Sequence, residues 1–104
     1  MQIPKRFKLH GQTIEVKEDP NLLDSHDWNG AASYRRGEIS ILPSSPTSPR
    51  KPGQIEQTFC HELVHHLFYA ANAKAGDNWL HKDEEMVDLI ASLLHQAITT
   101  AEYE

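Results

Sequence analysis

The sequence predicts an α+β fold, in which short antiparallel β-hairpins come first and two amphipathic helices follow. Two observations indicate this order. Between residues 7 and 42, apolar residues alternate in short runs separated by turn formers, which is typical of strands. From residue 54 onward the apolar period becomes about 3.6 residues, which is typical of helices. With 104 residues the chain is long enough for a single domain with one hydrophobic core.

The first hairpin is predicted at residues 7–18, within a β-rich part that covers residues 1–42. Apolar and polar residues alternate on both sides of His10-Gly11, and such a dipeptide between two alternating runs favours a tight turn.

A second hairpin is predicted at residues 31–42, with its turn at Arg36-Gly37. Residues 38–42 form a short alternating run, which is typical of a half-buried or edge strand. The polar residues 19–30 between the hairpins predict a loop containing at most one helical turn.

A connector at residues 43–53, PSSPTSPRKPG, separates the two halves. Its four prolines and three serines exclude regular structure and predict a semi-extended linker. An alternative interpretation is a mobile flap beside a cleft.

Two helices are predicted in the remaining part, residues 54–104. The first covers residues 54–74 and is expected to stop at Gly76, and the second extends from about Asp83 to Ala101. Their predicted apolar faces consist of Cys60, Leu63, Val64, Leu67 and Ala71 in the first helix, and Met86, Val87, Ile90, Leu93, Leu94, Ala97 and Ile98 in the second.

Composition narrows the classes of partner. The formal charge of −5 is spread along the chain and gives no basic stripe, which argues against nucleic-acid binding. The single cysteine, Cys60, allows no internal disulfide and suits a reducing compartment. The opening residues lack the apolar core of a secretory signal, and no apolar run approaches the roughly 18 residues of a membrane helix. We therefore expect a cytoplasmic protein without a membrane partner.

One motif carries chemistry: His61-Glu62-Leu63-Val64-His65, of the form H-E-x-x-H. Histidines four residues apart lie on one face of a helix, so both imidazoles can reach one cation. Glu62 is rotated off that line and can approach a water on the metal without taking a ligand position. This pattern predicts Zn²⁺-assisted hydrolysis, with Glu62 as the general base. The alternative is a helix whose histidines border the core and bind neighbouring groups.

A zinc site of this kind needs a third protein ligand. Glu84 and Glu85 lie at the start of the second helix, and either can supply it. Asp88 follows Glu84 by four residues on the same face and can accept the free N–H of a ligating histidine. Acidic residues at a helix start also complement the helix dipole without binding metal.

The segment from Thr58 to Gln96 resembles the gluzincin branch of zinc metallopeptidases, and more narrowly the small phage- and prophage-encoded zincin-like proteins and the ImmA/IrrE-type metallopeptidases. The resemblance is carried by HELVHH and by EEMVD at the next helix start. It implies a minimal zincin fold, bound Zn²⁺, and a peptidase or peptidase-like role in a bacterium or phage. It also implies His61 and His65 as ligands, Glu62 as the catalytic glutamate, Glu84 as the preferred third ligand with Glu85 as the alternative, and Asp88 as a supporting carboxylate.

The chain departs from full-size gluzincins in its small size and in having no assigned residue to stabilise an oxyanion. The candidates for that role are His66, His81, Tyr34 and Tyr69.

Two functions are therefore compared. The first is a zinc-dependent peptidase acting on a peptide or protein substrate, which residues 38–42 would bind by strand addition. The second is a non-catalytic module of a phage or prophage that binds a regulatory protein and keeps zinc as a staple. The presence of Glu62 favours the enzyme, because a purely structural metal site has no use for a general base.

Overall fold

The computed structural model describes residues 1–23, 28–75 and 83–103, without the side chains of 72–75. Within these ranges the fold is α+β, with a four-stranded sheet followed by two helices. The elements are β1 (Arg6–Leu9), β2 (Gln12–Glu18), β3 (Gly30–Ser33), β4 (Glu38–Ile41), α1 (Pro52–Ala75) and α2 (Glu84–Thr100).

The sheet has the strand order β1-β2-β4-β3. Both predicted hairpins are present: β1 pairs with β2, and β3 with β4, in antiparallel register. The two hairpins are joined by parallel pairing of β2 with β4, in which Val16 lies opposite Ile39. The sheet is therefore mixed, whereas the sequence indicated antiparallel hairpins alone.

The strand order corrects one prediction. Residues 38–42 were expected to serve as an edge strand for substrate, but β4 lies between β2 and β3 and both of its edges are hydrogen-bonded. The sheet edge next to α1 is formed by β3 instead. The alternation of apolar and polar residues did not show whether β4 is an edge strand or an inner strand. An inner strand with one face on the core has the same alternating pattern.

The first turn has the geometry expected of His10-Gly11. Both residues have positive φ, 53° and 84°, which is typical of a two-residue type I′ hairpin loop. At the second turn, Gly37 also has positive φ. A Cβ at Gly37 would lie 2.8 Å from the carbonyl oxygen of Thr13, so glycine is required there by the neighbouring strand as well.

Helix α1 begins two residues earlier than predicted. Pro52 takes the first helical position, where its fixed φ fits and no N–H is needed. The backbone N–H of Lys51 donates to Oε1 of Gln54 at 2.8 Å, and the Lys51 carbonyl accepts from the N–H of Gln54 at 3.0 Å. This reciprocal pair resembles a capping box and fixes the helix start. The predicted stop at Gly76 lies outside the described residues.

Helix α2 agrees closely with its predicted bounds. Asp83 is the N-cap, and its Oδ1 accepts from the backbone N–H of Met86 at 3.1 Å, while Ala101 is the C-cap. Between the hairpins, Leu22 and Leu23 are helical, and residues 24–27 lie outside the described residues. The connector contains no helix or strand between residues 42 and 51.

Helix α1 packs against β3 and β4 on one side and against α2 on the other. The buried cluster between these layers is formed by residues of β2, β4 and both helices. Burial contributes about 1.5–3 kcal/mol for each large apolar side chain. Its members among the described residues are Ile14, Ile39, Ile41, Phe59, Cys60, Val64, Val87 and Ala91.

The predicted apolar faces were partly wrong. In α1 the core face includes Phe59, whereas Leu67 and Ala71 are exposed. In α2 only Val87 and Ala91 are buried, and Leu93 is 54% exposed. Met86, Ala97 and Ile98 are exposed as well. A helix resting on one neighbour buries a narrower stripe than its full apolar face.

None of the described helices combines the length and apolar character that a membrane span requires.

Candidate metal centre

His61 and His65 project from one face of α1, one turn apart. Their ring centroids are 4.9 Å apart. His65 is buried at 8% exposure, and the His61 side chain is 22% exposed. The pair therefore lies at the border of the core, with one ring deep and the other nearer solvent.

Glu84 brings a carboxylate from the first turn of α2 to both rings. Its Oε1 lies 2.9 Å from Nε2 of His65, and its Oε2 lies 3.1 Å from Nε2 of His61. One ligand atom from each of the three residues can be chosen so that all lie within 4.8 Å of one another. The Asp83 cap sets where α2 begins, so it also sets where Glu84 projects.

The second nitrogen of each ring has its own partner. Nδ1 of His61 lies 2.7 Å from Oδ1 of Asp88, the carboxylate that the sequence analysis considered as a partner of one of the two histidines. Nδ1 of His65 lies 3.2 Å from the hydroxyl oxygen of Tyr34. Such contacts orient the rings and leave both Nε2 atoms toward Glu84, which is how metal-binding histidines are commonly held.

Glu62 follows His61 directly and is rotated by about 100° around the helix. Its side chain is buried at 7% exposure, and no hydrogen-bond or ion-pair partner is found for its carboxylate among the described residues. Burial raises the pKa of Glu62 to about 7; His61 lowers it and Glu84 raises it by smaller amounts. A buried carboxylate without a hydrogen-bond partner is costly, and the described residues offer no contact that offsets this cost.

A cleft of about 710 Å³ gives access to these groups. One wall is β3 with the residues just before it, and the other is formed by α1 and the first turn of α2. Trp28 lies in the wall formed by β3 and the residues before it, and it is half exposed. Trp79, the other tryptophan, lies outside the described residues.

Gly30, the first residue of β3, lies directly against the side chains of Thr58 and Glu62 on α1. A Cβ added there would lie 2.5 Å from Cγ2 of Thr58 and 3.0 Å from Oε2 of Glu62. Both distances are shorter than ordinary contacts, so a side chain at position 30 would require Thr58 and Glu62 to shift. The sequence analysis did not single out Gly30, because it looked like one more loop glycine.

The other residues considered as third ligand or as oxyanion stabiliser lie outside the group of His61, His65 and Glu84, or outside the described residues. Glu85 is exposed and does not belong to the ligand group. His66 is buried and its Nε2 donates to the carbonyl oxygen of Glu38 at 2.9 Å; burial lowers its pKa. Tyr69 stacks on Tyr34 with ring centroids 4.3 Å apart. His81 lies outside the described residues.

Tyr34 was considered only as an oxyanion stabiliser, and the structure brings it to the Nδ1 side of His65 instead. Burial raises the pKa of its hydroxyl to about 12, with smaller effects from Glu62, Glu84 and Tyr69, so the hydroxyl stays protonated at neutral pH. No local pattern in the sequence links this turn residue to the helix.

The donor set fits a zinc ion. Two imidazole nitrogens and one carboxylate are the ligands of many catalytic zinc sites. Both second ring nitrogens are hydrogen-bonded, and Cys60 is fully buried in the core, outside the group. Comparison with protein-family models, with curated proteins and with solved structures finds no match to the chain.

Proposed function

We propose that the chain is a zinc-dependent peptidase of the minimal zincin type. The observation that carries the proposal is the convergence of His61, His65 and Glu84 beside the buried carboxylate of Glu62, which has no hydrogen-bond partner among the described residues. A structural metal site would use the three ligands and close its fourth position with another protein group. It would have no need for Glu62.

His61 and His65 would hold the ion through Nε2, and Glu84 through a carboxylate oxygen. A zinc ion held there would supply Lewis-acid chemistry, by lowering the pKa of a water ligand to about 7 and by polarising a carbonyl group. Asp88 and Tyr34 keep the two rings in the required orientation from the Nδ1 side.

Glu62 acts as the general base. Its carboxylate accepts a proton from the attacking water and returns that proton to the nitrogen of the leaving amine. Burial keeps this carboxylate away from bulk solvent, and Gly30 keeps the wall beside it free of a side chain.

A peptide substrate would bind along β3. This strand is the sheet edge that lines the cleft, and its residues Gly30, Ala31 and Ala32 leave room for substrate side chains. Strand addition at an exposed edge gives backbone hydrogen bonds that do not depend on substrate sequence. The role first considered for β4 is thus assigned to β3.

A second candidate is a non-catalytic binding module in which zinc is a staple. It is favoured by one observation: the histidines belong to α1 and Glu84 belongs to α2, so an ion bound by all three would link the helices. This module would bind zinc equally well with Gln at position 62.

The experiment that separates the two is cleavage of a broad peptide library by the zinc-loaded parent and by Glu62→Gln. The peptidase predicts cleavage by the parent, with loss of about 10²–10⁴-fold in the variant. Zinc content and melting temperature should be the same in both proteins. Equal cleavage by both would mean a contaminant, and cleavage by neither would leave the binding module.

A further inference from the structure

A second groove, of about 800 Å³, opens beside the metal cleft. Asn29, Gln57 and Thr58 line both spaces, so the groove continues from the metal centre along α1. The groove differs from the metal cleft in the charge of its lining residues. Arg50 and Lys51 lie in its wall, and no Asp or Glu is present among its lining residues in the described part of the chain.

The charge of Arg50 is not compensated within the described residues. Its guanidinium donates to the carbonyl oxygens of Leu42 and Gln54 and to the hydroxyl of Thr58. All three acceptors are neutral, and they use at most three of the five guanidinium N–H groups. No carboxylate lies within ion-pair distance of Arg50 or Lys51 in the described ranges.

The third basic group in the groove is already satisfied. Nε2 of His95 lies 2.8 Å from Oε1 of Glu56, and its Nδ1 lies 3.2 Å from the Gln57 side chain. The unmatched positive charge therefore comes from Arg50 and Lys51, and a partly buried guanidinium gains most from a carboxylate that it can bind directly.

The distance between Arg50 and Glu62 along α1 suits an extended peptide that reaches both. Arg50 contacts Thr58, which precedes Glu62 by four residues, or about 6 Å along the helix axis. Roughly two residues of extended chain cover that distance. A peptide antiparallel to β3 would run from the Tyr34 side toward Asn29, so its C-terminal part would enter the second groove.

We propose that this groove binds a substrate carboxylate, two or three residues to the C-terminal side of the cleaved bond, with Arg50 and Lys51 as its partners. The inference rests on the proposed peptidase function and adds a preference for substrates of one chemical class. The carboxylate can belong to an Asp or Glu side chain or to the peptide C-terminus.

Binding is measured separately from cleavage. Zinc-loaded Glu62→Gln is titrated with three acetylated hexapeptides, and binding is followed by NMR. Each peptide has five alanines and differs only at its C-terminal end. The first ends in Glu with an amidated C-terminus, the second in Gln with an amidated C-terminus, and the third in Gln with a free C-terminal carboxylate. The two carboxylate peptides should bind about three- to tenfold more tightly than the neutral one. Their titration should shift the backbone signals of Gln54 and Thr58.

Variants of the basic residues test the assignment. Lys51→Gln should reduce the preference for the two carboxylate peptides, and Arg50→Gln should abolish it. Lys8→Gln, on the opposite edge strand β1, should leave this preference unchanged. Because Arg50 also anchors the connector, Arg50→Lys is included, which keeps the charge and should retain part of the preference. Equal binding of all three peptides, or a preference that survives both charge removals, would overturn the inference.

Cleavage sites in a library of amidated peptides give the second test. Acidic residues should be enriched at the second or third position after the cleaved bond. Enrichment before the bond, or none, would overturn the inference while the peptidase function stands. Carboxylate-dependent binding without any cleavage would instead overturn the peptidase and support the groove.

Discussion

The hydroxyl oxygen of Tyr34 lies 3.2 Å from Nδ1 of His65, although 31 residues separate the two along the chain. Tyr34 belongs to the turn between β3 and β4, and its ring stacks on Tyr69 with an angle of 2° between the planes. The hairpin therefore determines which nitrogen of a helix histidine faces Glu84. The sheet thus contributes to the candidate metal centre as well as to the core.

Tyr34→Phe should weaken zinc binding. The phenyl ring keeps the stack on Tyr69, but Nδ1 of His65 loses its contact with the Tyr34 hydroxyl, and such losses typically cost about 10–100-fold in metal affinity. The measurement is competition for zinc with a chromophoric chelator. Tyr69→Phe keeps the same stack and the Tyr34 hydroxyl, and serves as the control. Equal affinity in parent and Tyr34→Phe would show that the hydroxyl does not support the site.

Glu84→Gln should weaken zinc binding far more than Glu85→Gln. Both variants remove one negative charge from the same helix turn, but only Glu84 has its carboxylate oxygens at 2.9 and 3.1 Å from the histidine nitrogens. Asp88→Asn should have an intermediate effect of about 10–100-fold, because it acts through His61. A larger loss in Glu85→Gln than in Glu84→Gln would move the third ligand to Glu85.

Gly30→Ala should impair catalysis without removing the metal. The added methyl group would meet Oε2 and Cγ of Glu62 at 3.0 and 3.2 Å, so the carboxylate must shift. We expect zinc stoichiometry to stay the same and kcat to fall more than KM rises. Gly53→Ala is the control, because nothing lies within 4 Å of a Cβ added there. Since Gly53 lines the second groove, both variants are assayed with a neutral peptide. Unchanged kcat in Gly30→Ala would mean that the strand does not position Glu62.

Glu56 should give the stability of the fold a distinct pH dependence. Hydrogen bonds from His95 and from the Met1 ammonium group hold the pKa of Glu56 below its ordinary value of 4.5. A lowered pKa in the folded state stabilises the protein above pH 4.5, and this contribution is lost as the pH falls through the folded pKa.

The melting temperatures of chelator-treated parent and Glu56→Gln are compared across this range. The parent should be the more stable at pH 6 to 7, and the difference should shrink as the pH falls below 4.5. Glu15→Gln, which removes an exposed ion pair with Arg6, should show little difference at any pH. A constant difference between parent and Glu56→Gln would contradict the ionic role of Glu56.

The parts of the site that follow from local geometry were predictable. Two histidines four residues apart must share a helix face, and a helix that starts with Asp83 as cap projects Glu84 from its first turn. The hairpin turns at His10-Gly11 and before Glu38 also follow from nearby residues. In each case the determining residues lie within about one turn of one another.

The parts that depend on packing between distant elements were not predictable. Alternation in residues 38–42 shows that one face of β4 is buried, but it does not show which strands lie on either side. The contacts of Tyr34 with His65 and of Gly30 with Glu62 exist because β3 packs on α1, and no sequence period reports that approach. The narrow buried face of α2 likewise depends on its having α1 as its main neighbour.

The central claim, a zinc site formed by His61, His65 and Glu84, is tested most directly by X-ray absorption at the zinc edge. The protein is first loaded by equilibrium dialysis, which should give about one zinc per chain. The spectrum should show two imidazole nitrogens at about 2.0–2.1 Å and carboxylate or water oxygens at about 2.0–2.2 Å. His61→Ala should lose the ion, and His10→Asn should keep it. A sulfur at about 2.3 Å, or zinc content unchanged in both His61→Ala and His65→Ala, would contradict the assignment.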